Sequence, residues 1–155
     1  VDSTYTASLG KSNGSVLRSP MQYENFELRL EWKSVVSTGQ GGVYFRYAGN
    51  GDLTEAAFKI QLSDDFGIPA DNYCTGSLFK IAPPTVNAVG KQGTWNTLRL
   101  RVIGESVQAY INGRKVLDTK ATSETIPTKG YVALDGVIGG IAYRSTLLIE
   151  LPKAE

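Results

Sequence analysis

The sequence contains no histidine and only one cysteine, Cys74, among its 155 residues. The absence of histidine excludes Ser-His and Cys-His nucleophile systems and every zinc or iron site that needs an imidazole ligand. A single cysteine cannot form an intrachain disulfide, and with no neighbouring His or second Cys it is expected to be an inert structural thiol. Any catalysis must therefore rely on carboxylate, Lys, Arg or Tyr side chains.

A large charge imbalance is also missing, because 16 basic and 15 acidic residues leave a net charge of +1. The overall charge thus favours neither nucleic acid, nor an anionic membrane, nor an acidic polymer as a partner. No apolar run reaches the roughly 18 residues of a membrane span. The chain opens at Val1 without an initiator Met, so we expect an exported protein, periplasmic or secreted, or a domain excised from a larger one.

Alternation of apolar and polar residues dominates the chain and predicts half-buried strands, whereas no window has a helical stripe. The Asn112-Gly113 pair between two alternating runs is a strong hairpin signal. We predict an all-β fold, with two packed antiparallel sheets in a sandwich or jelly roll, as one domain over residues 1–155. The predicted strands cover residues 25–33, 41–47, 58–62, 96–104, 107–118, 130–136 and 141–151.

The last predicted strand has a more continuous apolar run, which suggests burial on both faces. The segment from Asp64 to Thr94 lacks clear strand character and contains Gly, Pro and Asn at intervals. Since long loops over a rigid sheet often carry sites, this segment is expected to contribute to one. Its apolar anchors are expected to be Tyr73, Leu78, Phe79 and Ile81.

If the strands around residues 27–62 are neighbours, their polar positions form a single face. One interpretation is a solvated face whose charges pair across strands. The other is a concave sheet face that binds sugars through bidentate Arg, carboxylate and amide groups and an aromatic platform. The face would comprise Glu27, Arg29, Glu31, Tyr44, Arg46, Lys59 and Gln61.

Oxygen-bearing residues open the long segment. Asp64, Asp65 and Asp71 offer carboxylates that calcium prefers, but their spacing does not match an EF-hand, and Asp also favours turns. The turn interpretation is preferred, no cofactor is predicted, and calcium stays a weaker alternative. The glycines of Gly39-Gln40-Gly41-Gly42 precede a strand and not a helix, so we expect a bulge or a tight strand entry and not a phosphate loop.

Several blocks, in order, resemble the 3-keto-disaccharide hydrolase domain family: "YENFELRLEWK", "GGVYFRY", "FKIQLSDD", "TGSLFKIAP", "GTWNTLRLRVIGESVQAYINGRKVLD" and "GYVALDG…IAYRSTLLIEL". The similarity runs from about Val16 to Leu151. It implies a concanavalin A-like jelly roll, typically exported by bacteria and often joined to other domains. It also implies cleavage or elimination of glycosides oxidised at sugar carbon 3.

Such chemistry needs no Ser-His nucleophile, because a carbon-3 ketone acidifies the hydrogen on carbon 2, which a positioned base can remove while cations hold the enolate. The resemblance implies catalytic roles for Glu31, Arg46 and Asp64, with Arg46 as the enolate clamp, and for Lys59, which stands where the family has an acid. For substrate binding, the candidates are Gln61, which the resemblance also implies, and Tyr44, which the strand pattern offers as the aromatic platform.

Three functional classes stay open at this point. The resemblance favours the first class, a carbohydrate-active, hydrolase-like domain that acts on or binds glycosides at a concave sheet face. Lys59 and the missing histidine depart from the family's pattern, so a non-catalytic carbohydrate-binding module is the second. The third is an assembly domain that docks other domains or chains by a sheet face. Carbohydrate is the expected ligand, and nucleic acid is not an expected partner.

Overall fold

A computed structural model of the protein describes residues 5–6, 16–136 and 140–153. This part of the chain forms ten β-strands and one helical turn, which confirms the all-β prediction. In chain order the elements are β1 (Tyr5–Thr6), β2 (Leu17–Tyr23), β3 (Phe26–Ser34), β4 (Gln40–Tyr47), α1 (Leu53–Ala56), β5 (Phe58–Ser63), β6 (Asn96–Ile103), β7 (Ser106–Ile111), β8 (Arg114–Lys120), β9 (Gly130–Asp135) and β10 (Ile141–Glu150).

The strands form two antiparallel sheets that pack face to face. The large sheet has six strands in the order β1-β10-β3-β6-β7-β8, and the small sheet has four in the order β2-β9-β4-β5. Their inner faces share one hydrophobic core, in which Phe26 of the large sheet lies 5.9 Å, centroid to centroid, from Phe45 of the small sheet. Alternation within each strand supplies this core, since every second side chain points inward. The predicted sandwich is confirmed.

One expected adjacency is wrong. Strand β3 pairs with β6 and β10 in the large sheet, whereas β4 and β5 pair with each other in the small sheet. The polar positions of β3 therefore face away from those of β4 and β5, on the opposite side of the core. A period-two pattern fixes which side chains share a face of one strand, but it does not say which strands are neighbours.

The long segment after β5 covers the free edge of the small sheet. The Gly76 amide donates to the Gln61 carbonyl at 2.9 Å, and the Phe79 amide donates to the Lys59 carbonyl at 2.8 Å. Leu78 is fully buried, but Tyr73 and Ile81 are 58% and 53% exposed, so the expectation that both anchor the segment is wrong. Backbone pairing and core side chains such as Leu78 and Val89 hold the segment against the sheet and protect the edge strand.

Two local predictions also need correction. Tyr44 and Tyr47 of β4 pair with Ala133 and Tyr131 of β9, which leaves one extra residue in β4, a β-bulge that turns Arg46 inward and Tyr47 outward. The expectation that Arg46 points outward with Tyr44 is therefore wrong, because a bulge resets the alternation. Strand β10 is buried only over residues 141–143 and not on both faces along its length, since its later apolar residues are half-buried or exposed.

Candidate functional site

The outer face of the small sheet brings together polar side chains from three adjacent strands. Alternation in β5 places Lys59, Gln61 and Ser63 on this face. Across the sheet Lys59 pairs with Tyr44 and Gln61 pairs with Gly42. Next in line, Gly42 pairs with Asp135 at the end of β9. Lys59 and Gln61, two residues apart in β5, thus form a continuous row with their cross-strand neighbours.

The Lys59 side chain lies across Gly42, where a β-carbon would come within 2.7 Å of Lys59 Cε. Its ammonium lies 4.8 Å from the Phe79 ring centroid and 5.3 Å from that of Tyr44, so two aromatic faces partly replace its hydration. Burial lowers the pKa of Lys59 below its ordinary value, and the charge of Asp135 opposes that shift. Gly42 is required here because any side chain would displace the lysine.

Tyr44 is held in its neutral form beside this lysine. Burial raises the pKa of the Tyr44 hydroxyl, and the charge of Asp135 and a hydrogen bond to that residue act in the same direction. The Tyr44 ring is only 3% exposed and packs with Ala57 and Ala133. Tyr44 therefore offers a positioned proton donor and not the open aromatic platform that the sequence predicted.

A cleft of about 360 Å³ lies beside this row, and we call it the β5 cleft. Tyr73 stands in its lining with its ring edge-on to Phe79, the centroids 5.7 Å apart. Because Tyr73 is 58% exposed, its ring offers an accessible apolar surface next to polar groups. The lining residues are Thr38, Gly39, Gln40, Gln61, Ser63, Asp64, Asp65, Ile68, Asp71, Tyr73, Cys74 and Phe79.

Gln61 contributes an acceptor that the described part of the chain leaves unpaired. Its Nε2 donates to Ser63 Oγ at 2.6 Å, and its Oε1 is buried without a hydrogen-bond partner among the described residues. A buried amide oxygen without a partner is costly and is usually satisfied by water or a ligand. The Gln61 side chain is thus oriented by Ser63 at the floor of the β5 cleft.

The three aspartates of the cleft accept hydrogen bonds from the loop backbone. Asp64 Oδ2 accepts from the Thr38 amide at 3.0 Å, and Asp65 Oδ2 accepts from the Thr75 amide at 2.9 Å. Asp71 similarly accepts from an amide two residues on, as turn-forming aspartates do. Within residues 16–136 and 140–153, no three His, Cys, Asp or Glu side chains are grouped to hold a metal ion. Calcium at these aspartates stays the weaker alternative to the turn interpretation.

Cys74 also lines the cleft but is not arranged as a nucleophile. Its side chain is buried, and burial raises the pKa of the thiol. Because only the thiolate is strongly nucleophilic, this shift disfavours reaction. The inert thiol expected from the sequence agrees with this environment.

Glu31 lies outside this site. It sits on the outer face of the large sheet, where Arg144 Nε donates to its carboxylate at 3.1 Å. The hydrogen bond from Arg144 lowers the pKa of Glu31 below its ordinary value, so the carboxylate is charged and paired. The two packed sheets separate Glu31 from Lys59, and the two residues do not share a site.

Arg46 also points away from the cleft. Its side chain is 3% exposed, and one terminal nitrogen donates to the carbonyl oxygens of Glu24, at 3.2 Å, and Gly104. Gly104 lies in the turn between β6 and β7 of the large sheet, so Arg46 links the end of β4 in the small sheet to that turn. In this geometry Arg46 stabilises the packing of the two sheets. The family resemblance had implied a different role, as an enolate clamp beside Lys59.

The predicted set is thus divided by the fold. The small sheet brings together Lys59, Gln61, Tyr44 and, at the cleft rim, Asp64, and it excludes Glu31 and Arg46. Sequence reasoning missed the contributions of Asp135, Ser63, Phe79 and Tyr73. Alternation within β9 and β5 could have placed Asp135 and Ser63 on the outer face. Phe79 and Tyr73 reach the site because the loop at residues 76–79 pairs with β5, and such pairing leaves no periodic signal in the sequence.

Solved structures with this fold include several carbohydrate-related proteins. A Parabacteroides distasonis protein provisionally described as a glycosyl hydrolase is 24% identical, with a TM-score of 0.76 over 88% of this chain and 83% of its own. The carbohydrate-binding module CBM66 of Bacillus subtilis is 11% identical, with a TM-score of 0.61 over 87% and 81%. A Bacillus licheniformis β-glucanase is 14% identical, with a TM-score of 0.57 over 96% and 78%. These likenesses support the predicted concanavalin A-like jelly roll.

No curated protein sequence matches the chain. The family described as the 3-keto-alpha-glucoside-1,2-lyase-like domain matches residues 2–147. This match spans nearly the whole chain and agrees with the resemblance carried by the sequence blocks. The chain belongs to the 3-keto-alpha-glucoside-1,2-lyase-like domain family.

Proposed function

We propose that this domain binds glycosides in the β5 cleft. The observation that carries the proposal is an exposed tyrosine ring, Tyr73, in a cleft otherwise rich in hydrogen-bonding groups. Sugars present both an apolar face of C–H groups and a rim of hydroxyls, so a site needs an aromatic surface and several convergent polar groups. Membership of a glycoside-processing family supports the same ligand class.

Recognition at the cleft follows from the groups already positioned there. The Tyr73 ring packs against the apolar face of a sugar, and a sugar hydroxyl that reaches the floor donates to the unpaired Gln61 Oε1. Asp64 and Asp71 accept from further hydroxyls, since each carboxylate has more acceptor sites than its loop hydrogen bonds use. These contacts favour a neutral, hydroxyl-rich ligand.

A second candidate function is turnover of glycosides oxidised at carbon 3, and the buried position of Lys59 favours it. A neutral Lys59 amine would take the proton from carbon 2, and the enolate formed with the carbon-3 ketone would expel the glycosidic oxygen from carbon 1. Burial lowers the pKa of Lys59, which increases the neutral fraction. Tyr44, held protonated, is the candidate proton donor on the same face.

The test is saturation-transfer NMR with 3-keto-glucosides and their unoxidised parents, recorded together with product signals. We expect saturation transfer to be lost in Tyr73→Ala and kept in Met21→Ala, a control whose side chain is similarly exposed, at 56%. Product signals that disappear in Lys59→Met while saturation transfer persists would establish turnover. The absence of both saturation transfer and product signals with every sugar would contradict glycoside binding and would favour an assembly domain.

We also propose an extracytoplasmic location, periplasmic or secreted, because glycosides of this kind are met there. In the part of the chain that the structure describes, no helix is both long and apolar enough to cross a membrane. Detection of the native protein in periplasmic or culture fractions would support the proposal. Recovery only in the cytoplasmic fraction would contradict it.

A further inference from the structure

The outer face of the large sheet carries a charge that the overall composition conceals. The outward positions of its strands hold three acidic residues, Glu27, Glu31 and Asp118, against seven basic ones. This surplus of four positive charges lies on one face of a chain whose net charge is only +1. We call it the basic face, and its basic residues are Arg29, Lys33, Arg99, Arg101, Lys115, Lys120 and Arg144.

A single buried carboxylate holds three of these arginines in place. Glu27, with a side chain only 5% exposed, accepts from Arg29 at 2.7 Å and from Arg99 at 2.9 Å, and Arg101 lies 3.6 Å away. The three arginine side chains remain 54%, 41% and 39% exposed. One carboxylate cannot neutralise three guanidinium groups, so the cluster presents oriented, unneutralised N–H donors to solvent.

A second cleft, of about 410 Å³, opens directly over this cluster. Arg29, Arg99 and Tyr110 line it, and the Arg99 guanidinium lies 5.2 Å from the Tyr110 ring centroid. The acidic residue of its lining, Glu31, is already paired with Arg144. The cleft therefore combines an aromatic ring with two preorganised guanidinium groups and little free negative charge.

We propose that the basic face binds an acidic polysaccharide through its carboxylates, with one uronate residue seated in this second cleft. The uronate carboxylate pairs with the guanidinium groups of Arg29 and Arg99, because a planar fork matches a carboxylate in a bidentate way. The sugar ring packs on Tyr110. Lysines elsewhere on the face, such as Lys33 and Lys120, meet carboxylates of neighbouring residues along the polymer.

The location of the cleft on the sheet favours an acidic polysaccharide over an acidic peptide as its ligand. Extended peptides commonly add to the edge of a sheet, where backbone groups are free. Here the arginines project from β3 and β6, which are paired on both sides inside the sheet. A sheet face with projecting arginine side chains and an aromatic ring suits a polymer that is recognised by its sugar rings and carboxylates.

Binding of polygalacturonate to the intact chain tests the proposal, by titration calorimetry at low and at physiological salt, with neutral dextran alongside. We expect polygalacturonate to bind, dextran not to bind at this face, and affinity to fall as salt screens the charges. Arg29→Gln and Tyr110→Ser should each weaken binding by roughly tenfold, the loss of one charged or stacking contact. Lys129→Gln, which removes an exposed charge just before β9 in the other sheet, should leave affinity unchanged.

Thermal unfolding of each variant separates lost binding from lost structure. Tyr110→Ser is the decisive variant, because the ion pairs of Glu27 come from Arg29, Arg99 and Arg101, and the substitution leaves all four of these residues in place. Three outcomes would overturn the proposal: no polygalacturonate binding at low salt, equal weakening by Lys129→Gln, or equally tight binding of dextran sulfate, which has no uronate, or of duplex DNA. The last result would mean that charge alone is recognised. Glycoside binding at the β5 cleft is unaffected by any of these outcomes.

Discussion

Replacing Arg46 tests whether this residue holds the two sheets together. Arg46→Ala removes the donor to the Glu24 and Gly104 carbonyls at a site that is 3% exposed. A fully buried carbonyl left without a donor costs about 1–3 kcal/mol, and the cost is smaller here because Glu24 is half-buried and Gly104 is exposed. Water can enter from an adjoining cleft of about 150 Å³ that Arg46 also lines, so we expect a total loss of about 2–4 kcal/mol.

The backbone of Arg46 provides a second, opposite effect. Its φ of 59° lies in the left-handed region, which costs a residue with a β-carbon roughly 1–2 kcal/mol relative to glycine. Arg46→Gly loses the same hydrogen bonds as Arg46→Ala but removes this penalty. We therefore expect Arg46→Gly to be more stable than Arg46→Ala by about 1 kcal/mol, the reverse of the usual order within a strand.

Urea denaturation of the wild type and both variants measures these differences. Thermal denaturation should show the alanine variant melting roughly 5–15 °C below the wild type. Two results would refute the reasoning: an Arg46→Ala variant as stable as the wild type, or a glycine variant less stable than the alanine variant. Either result would mean that Arg46 does not have an inward side chain and a left-handed backbone conformation in solution.

Three further variants test the surroundings of the two faces. Lys59→Met should remove a rise in stability that the wild type shows as the pH increases toward the ordinary lysine pKa of 10.5: burial lowers the pKa of Lys59, so over that range the unfolded chain binds a proton that the folded chain has lost. The check is urea denaturation across that range, and a variant that keeps the wild-type slope would contradict it. Glu27→Gln should reduce the loss of stability that the wild type shows as the pH falls below 4.5, the ordinary pKa of a glutamate. Burial raises the pKa of Glu27, but the hydrogen bonds from Arg99 and Arg29 outweigh burial and lower it overall, so the folded chain is stabilised by the charged carboxylate. Acid denaturation followed by circular dichroism measures this change. An acid-unfolding curve that Glu27→Gln leaves unchanged would argue against stabilising ion pairs between Glu27 and the arginines. Gly42→Ala should lower the free energy of unfolding by about 1–3 kcal/mol and weaken glycoside binding. The added β-carbon would lie 2.4 Å from the Ile60 carbonyl oxygen and would displace the Lys59 side chain. A variant as stable as the wild type in urea denaturation would refute that close contact.

Local sequence patterns predicted eight of the ten strands in the described part of the chain and missed β1 and β2. The alternation over residues 25–33 became β3, and Asn112 and Gly113 form the β7–β8 turn with φ values of 52° and 80°, as a turn with two left-handed residues requires. Such features depend on neighbours along the chain, which is why the sequence reveals them.

The candidate site was only partly predictable, because it depends on contacts between distant segments. Glu31 and Lys59 have equivalent positions in their own strands, and only strand pairing places them on opposite sides of the core. A bulge of one residue turned Arg46 inward, although the local pattern of β4 is regular. Tyr73 became part of the site because a loop pairs with β5, and such pairing has no sequence period.

Glycoside binding in the β5 cleft is tested most directly by mapping amide chemical shifts of ¹⁵N-labelled protein during titration with a 3-keto-glucoside and its parent sugar. We predict that the shifted amides cluster at Gly39, Gln61, Ser63 and Tyr73, which line one cleft, and that Tyr73→Ala removes the shifts. Shifts confined to the large sheet, or no shifts at saturating sugar, would contradict the assignment of the β5 cleft as the glycoside site.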